Sequence, residues 1–262
     1  MRSTMRSVTR SDIRTAMITP VRMIVVATAA ILSVACQKDD APIKTTSTGE
    51  ANVSASGDSA AARGHSMVRI VNAVAGGGDA SVRLNDTTLF ADVKVASVTD
   101  FREIASNLAK FSATAGANSG MSFAQNDETL MDGDRYTIFL VAEDVSHSTL
   151  RIVKDEVIAD SGKARIRVVH AAPGAPELDI SMAGSKDKLF SGVNFKSEAG
   201  YKDVDPTATT IEVRAKDEPK VLLRIAGVNL KRGTATTIVI SGSSKLSAFK
   251  FTDTEMAPAS KQ

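Results

Sequence analysis

The sequence predicts an all-β protein made of two tandem β-sandwiches. Three observations lead there: the chain matches itself at an offset of about one hundred residues, its apolar residues alternate with period 2, and turn residues punctuate it at short, regular intervals. Met67 to Val74 (MVRIVNAV) reappears as Arg165 to Ala172 (RIRVVHAA), which places Val68 over Ile166, Arg69 over Arg167 and Val71 over Val169. From Leu89 to Phe139 the offset holds at 100 without a gap, pairing Phe101 with Tyr201 and Phe123 with Leu223, and Leu130, Gly133 and Thr137 with Leu230, Gly233 and Thr237. A unit of about 90 residues is too long for a solenoid repeat and long enough to close a core of its own.

The N-terminus comes first. Residues 1–35 hold five Arg and one acid (Asp12), and Met23 to Ala35 is an apolar run of 13. A bilayer span needs about 20 apolar residues, so the run fits the apolar stretch of a signal peptide better than a permanent anchor. Cys36, the single cysteine, follows the small Ala35. This placement resembles the lipobox of bacterial lipoproteins, with Leu32 one position further from the cysteine than usual. It implies cleavage before Cys36 and acylation of its thiol, at about 0.8 kcal/mol per buried methylene. The expected location is therefore the cell envelope, lipid-anchored at the outer membrane on its periplasmic or surface face; a simple cleavable secretory signal is the alternative. Residues 36–66 are rich in Ser, Thr, Ala and Gly and nearly free of large apolar residues, as in a disordered, flexible tether.

Next come the two modules, expected at 67–160 and 161–254, with a disordered tail at 255–262. Strands read from 68–74, 81–84, 111–115 and 136–141 in the first copy. In the second they read from 166–172, 178–182, 211–214, 221–225, 236–240 and 246–251. Gly76, Gly77 and Asp79 mark the first turn of one copy, and Pro173, Pro176 and Glu177 the same turn of the other. Thr99 to Lys110 has some helical character, but its counterpart contains Pro206, so both read as irregular crossovers. About seven short strands per copy indicate a sandwich.

Residues 164–180 (ARIRVVHAAPGAPELDI) resemble the opening of the bacterial domain of unknown function 4397 family. Gly192 before Val193, Tyr201, the Ile211 to Arg214 segment and Gly233 before a Thr-rich strand continue the likeness. It is good over 164–251 and weaker over 67–153, where Asn72 replaces the histidine and glycines replace the proline pair. The resemblance implies immunoglobulin-like or transthyretin-like sandwiches on secreted or envelope proteins, and no activity.

Composition narrows function. Removing residues 1–35 leaves 27 basic against 29 acidic side chains, from 32 and 30 in the whole chain. With no basic patch, no Trp and two Tyr, nucleic acid is not expected as a partner. No cofactor is expected either: phosphate-loop, serine-elbow and paired His or Cys metal spacings are lacking. Acidic turns at Asp127-Glu128 and Asp132 to Asp134 do not follow the calcium-loop spacing and read as solvated hairpins. His170 and Asp179 form the one candidate acid–base pair, and a weak hydrolase using them is the enzymatic alternative. Asn72 and Ser81 stand at these places in the first copy, which favours a polar side chain that bonds its own turn.

The expected function is thus a non-catalytic envelope lipoprotein that binds, adheres or builds structure. Its contacts are expected to be the membrane through Cys36 and a glycan or protein ligand at Gly76, Gly77, Asp79, Pro173, Pro176 and Glu177. A third reading is an accessory subunit of an envelope complex.

Overall fold

A computed structural model describes residues 64–116, 122–143, 147–156, 162–242 and 244–254. Cys36, the signal segment, residues 37–63 of the expected tether and the tail lie outside them; the last residues expected in the tether, His65 and Ser66, instead open the first strand. The described residues form strands joined by turns. In the first copy these are β1 (His65–Asn72), β2 (Ala80–Leu84), β3 (Thr87–Val93), β4 (Ser97–Val98), β5 (Arg102–Ala105), β6 (Leu108–Ala115), β7 (Ser122–Thr129), β8 (Arg135–Ala142) and β9 (Ser148–Lys154). In the second they are β10 (Ala164–His170), β11 (Leu178–Met182), β12 (Lys188–Val193), β13 (Glu198–Val204), β14 (Thr207–Ala215), β15 (Val221–Leu230), β16 (Thr234–Ser241) and β17 (Ser247–Thr254).

Each copy stacks two sheets in the same order. One sheet runs β4-β1-β8-β9, with β5 also on β1, and its counterpart runs β13-β10-β16-β17. The other runs β3-β2-β6-β7, matched by β12-β11-β14-β15. β1 pairs with β8 in parallel, as β10 does with β16, and the remaining strand pairs are antiparallel. A parallel pair needs a long connection, which the strands of the opposite sheet supply. The expected crossover at Thr99–Lys110 is instead extended chain. β5 lies along β1, β6 begins at Leu108, and β13 takes the place of β4 and β5 in the second copy.

Between its sheets each copy buries an apolar layer. Val68, Ile70, Val82, Phe111, Ile138 and Leu140 fill the first, and Ile166, Val168, Ile180, Ile211, Val213 and Ile238 the second. The alternation predicts inner strands that are buried on one face, yet β1, β8, β10 and β16 are buried on both. A third cluster explains this: Val71, Ala73, Phe139 and Val141 of the first copy pack with Val169, Ala171 and Val239 of the second.

Charges are exchanged across that third layer with a two-fold pattern. Arg69 Nε donates to Thr137 Oγ1 at 2.9 Å, and its Nη atoms reach both Asp253 oxygens at 2.6 and 2.7 Å. In the other copy Arg167 Nε donates to Thr237 Oγ1 at 2.8 Å, and Nη2 lies 2.7 Å from Asp155 Oδ1, a charge contact without hydrogen-bond alignment. Arg69 stacks on Phe101 and Phe251, and Arg167 on Tyr201 and Phe139, so each guanidinium sits between rings of both copies. Arg167 is fully buried. Burial works against its charge, but Asp155, Tyr201 and Glu198 outweigh that effect and shift its pKa upward.

Candidate functional site

The two turns expected to make contacts are built alike, from the last residue of β1 and of β10. Asn72 Nδ2 donates to Gly78 O at 3.0 Å and to Val93 O at 2.9 Å, while its Oδ1 accepts from Val74 N at 3.1 Å. His170 makes the same two turn bonds: Nδ1 accepts from Ala172 N at 3.3 Å, and Nε2 contacts Pro176 O at 3.1 Å. Accepting at Nδ1 and donating at Nε2 requires the neutral ring. Burial pushes the His170 pKa below its usual value, against the opposing pull of the Pro176 carbonyl.

Gly76 and Gly174 hold matching left-handed positions, each with φ of 77°. A side chain on Gly77 would collide with Val74 Cγ1, so the first turn disfavours one there. Asp79 pairs with Lys94, and Glu177 pairs with Lys216 at 2.8 Å, both in exposed ion pairs. Glu143, just after β8, bonds Lys196 at 2.6 Å, and Lys196 N in turn bonds His170 O at 2.9 Å. This link sets the turn-bearing ends of the two copies side by side. Beside the second turn, Pro173, Pro176, Leu222, Lys245 and Leu246 line an open hollow of about 310 Å³. The sequence reading missed Leu222 and Leu246, because both lie in runs that read as core strands; Leu222 is 38% exposed.

His170 and Asp179 share no bond, so the candidate acid–base pair is not assembled. Asp179 is buried, and its carboxylate accepts from Ser191 Oγ, Gly192 N, Asp217 N and Lys188 Nζ at 2.6–3.0 Å. Burial alone would raise its pKa, but Lys188 and these donors outweigh burial and hold the carboxyl well below the usual range. The group fastens β11 to β12 and to the β14–β15 turn. Of the acidic turns, Asp132 accepts from His65 N at 2.8 Å and Asp134 pairs with Lys154 at 2.6 Å. Asp127 and Glu128 lie within β7 rather than in a hairpin turn. No group of three metal-ligating side chains occurs among the described residues.

Residues 66–181 match the family described as Domain of unknown function (DUF4397), a span that takes in the first copy and β10–β11 of the second. No curated protein sequence matches the chain. Among solved structures, a family 26 carbohydrate-binding module from Eubacterium rectale, in complex with maltoheptaose, is similar at 10% identity. It covers 74% of this chain and 98% of its own, with a TM-score of 0.25. A putative cell adhesion protein from Bacteroides uniformis is similar at 12% identity, over 74% and 99%, with a TM-score of 0.22. At such scores neither likeness carries an argument about ligands.

Proposed function

With a DUF4397 region at 66–181 as the premise, we propose that this chain is a non-catalytic envelope lipoprotein whose side-by-side turns bind a segment of another envelope protein. The observation that carries the reading is the use made of the polar groups. His170 is spent on its turn and Asp179 on its sheet, while the adjoining hollow is walled by prolines and leucines that need no induced order. Pro173, Pro176, Leu222 and Leu246 suit an apolar peptide side chain, and Lys245 at the rim suits an acidic neighbour. The lipid anchor is supported by the apolar run at 23–35 and the lone Cys36 that follows it.

Two experiments test the halves of the reading separately. Cell fractionation of Cys36→Ser is expected to move the protein from membrane to soluble fractions; retention on the membrane refutes the anchor. Cross-linking in intact cells through a photoreactive side chain placed at Leu222 is expected to trap a protein partner, and Pro173→Gly with Pro176→Gly to weaken the trap. Cross-links that ignore the turn substitutions refute the site.

A further inference from the structure

The outer sheet of the first copy carries a second surface, whose chemistry differs from that of the turns. Register places three rows of side chains on the solvent face of β2, β6 and β7: Ser81 opposite Thr114 opposite Phe123, then Arg83 opposite Ser112 opposite Gln125, then Lys110 opposite Asp127. The floor is short (Ser81, Ser112, Thr114) and the rim is long (Arg83, Lys110, Phe123, Gln125), which hollows the face to about 440 Å³. Strand and residue spacings make the patch roughly 10 Å by 14 Å, the footprint of a short oligosaccharide.

Two features point to what would sit there. Among the described residues, the three floor hydroxyls, the Gln125 amide and the Lys110 ammonium have no hydrogen-bond partner, while Arg83 is fixed by the Asp86 carbonyl. Phe123 is 55% exposed and is the one aromatic among the large apolar side chains left open there. Neutral donors and acceptors beside a bare ring match a molecule whose edges are hydroxyls and whose faces are C–H.

The second copy supplies an internal contrast on the same lattice. Where Ser112 and Thr114 stand, it has Glu212 and Arg214, which face Ser181 and Asp179 of β11 as Ser112 and Thr114 face Arg83 and Ser81; on the β15 side bulges shift the pairing and bring Arg224 opposite Glu212. Arg214 bonds Ser181 Oγ at 2.8 Å and pairs with Glu212, which also takes Arg224 at 2.5 Å. A hollow of about 390 Å³ lies there too, but its walls are charged and Arg214, Ser181, Asp179 and Lys188 in them are bonded to one another or to their neighbours.

We propose that the β2-β6-β7 face of the first copy is a carbohydrate-binding site, with Phe123 as the ring platform and Ser112, Thr114 and Gln125 as the hydroxyl contacts. This site is independent of the turns. The test is isothermal titration of the full-length protein with short gluco-, manno-, xylo- and chito-oligosaccharides. Saturable binding to at least one series is expected. Phe123→Ala is expected to weaken it about tenfold or more. Ser112→Glu with Thr114→Arg, which copies the self-paired charges of the second copy, is expected to abolish it. Each variant should melt as the parent does, since all three side chains lie on the solvent face of the sheet and outside the core. Pro173→Gly with Pro176→Gly should leave sugar binding intact. Absence of binding to every series overturns the site, as does binding that ignores Phe123→Ala and the floor pair. Binding lost only on altering the turns overturns it too, because it moves the sugar to the other end.

Discussion

At the scale of single residues, the clearest lesson is that Asn72 and His170 do one job with two chemistries. Each caps its strand by accepting from the amide two residues on and contacting the carbonyl six residues on. His170→Asn should therefore fold with both bonds in place, whereas His170→Ala strands two buried backbone groups at a cost of about 1–3 kcal/mol. The histidine adds a pH dependence that asparagine lacks. Its folded pKa lies below the ordinary 6.5 of a free histidine, so on acidification the unfolded chain takes up a proton that the folded ring resists. This contribution to stability is complete above that value and is lost as pH falls through the lowered folded pKa. Urea titrations across that window should show an acid-side loss in the parent that is absent in His170→Asn; equal slopes would refute it. Asp179→Asn tests the other expected catalytic residue. It should lower the urea midpoint at neutral pH, by about 1–3 kcal/mol, because it replaces a four-donor acceptor. The role of His170 was legible in the sequence because a polar residue at a strand end, before a turn, has few other partners in reach.

Among the elements, the inner strands depart furthest from what their sequences suggest. Arg69, Arg167, Thr137 and Thr237 sit in alternation with Val and Ile, as solvent-facing residues do, yet all four are buried. The nearest carboxylates of the two arginines, Asp253 for Arg69 and Asp155 for Arg167, lie in the other copy, so no reading of one copy alone finds them. Phe123 departs in the opposite sense: it aligns with the half-buried Leu223 but is exposed. Thr99–Lys110 misled for a different reason: its strands are short, and β5 follows β1 without an apolar alternation of its own. The strands with clear alternation, such as β1, β8, β10 and β16, and the turns after β1 and β10 were legible from periodicity, whereas β3, β7, β9, β12 and β13 were not. Removing one partner of the exchange tests its energetics. Arg167→Met leaves Asp155 buried without its nearest charge and should cost about 3–5 kcal/mol; Arg167→Met with Asp155→Leu should recover most of this, since apolar pairs often replace buried ion pairs without loss. Urea midpoints measure both, and a single substitution costing under about 1 kcal/mol would remove Arg167 from the account.

Taken whole, the described residues contain three apolar layers, and the middle one belongs to both copies. Two sandwiches joined by a polar linker would melt in separate steps. A shared layer closed by two reciprocal arginines should make them melt together, so calorimetry is expected to give one transition with matching calorimetric and van't Hoff enthalpies. Arg69→Ala with Arg167→Ala should split it in two or broaden it, and a parent that already shows two peaks would refute the coupling.

The reciprocal exchange also bears on how the chain is made. A ribosome completes the strands through Lys154 before it begins those from Ala164 onward. Until the later strands arrive, the earlier half presents Val71, Phe139 and Val141 bare, with Arg69 beside them lacking Asp253, the nearer of its two counter-ions. Synthesis thus passes through a stage with an adhesive surface, and the growing protein depends on holding factors at that moment more than the finished one ever does.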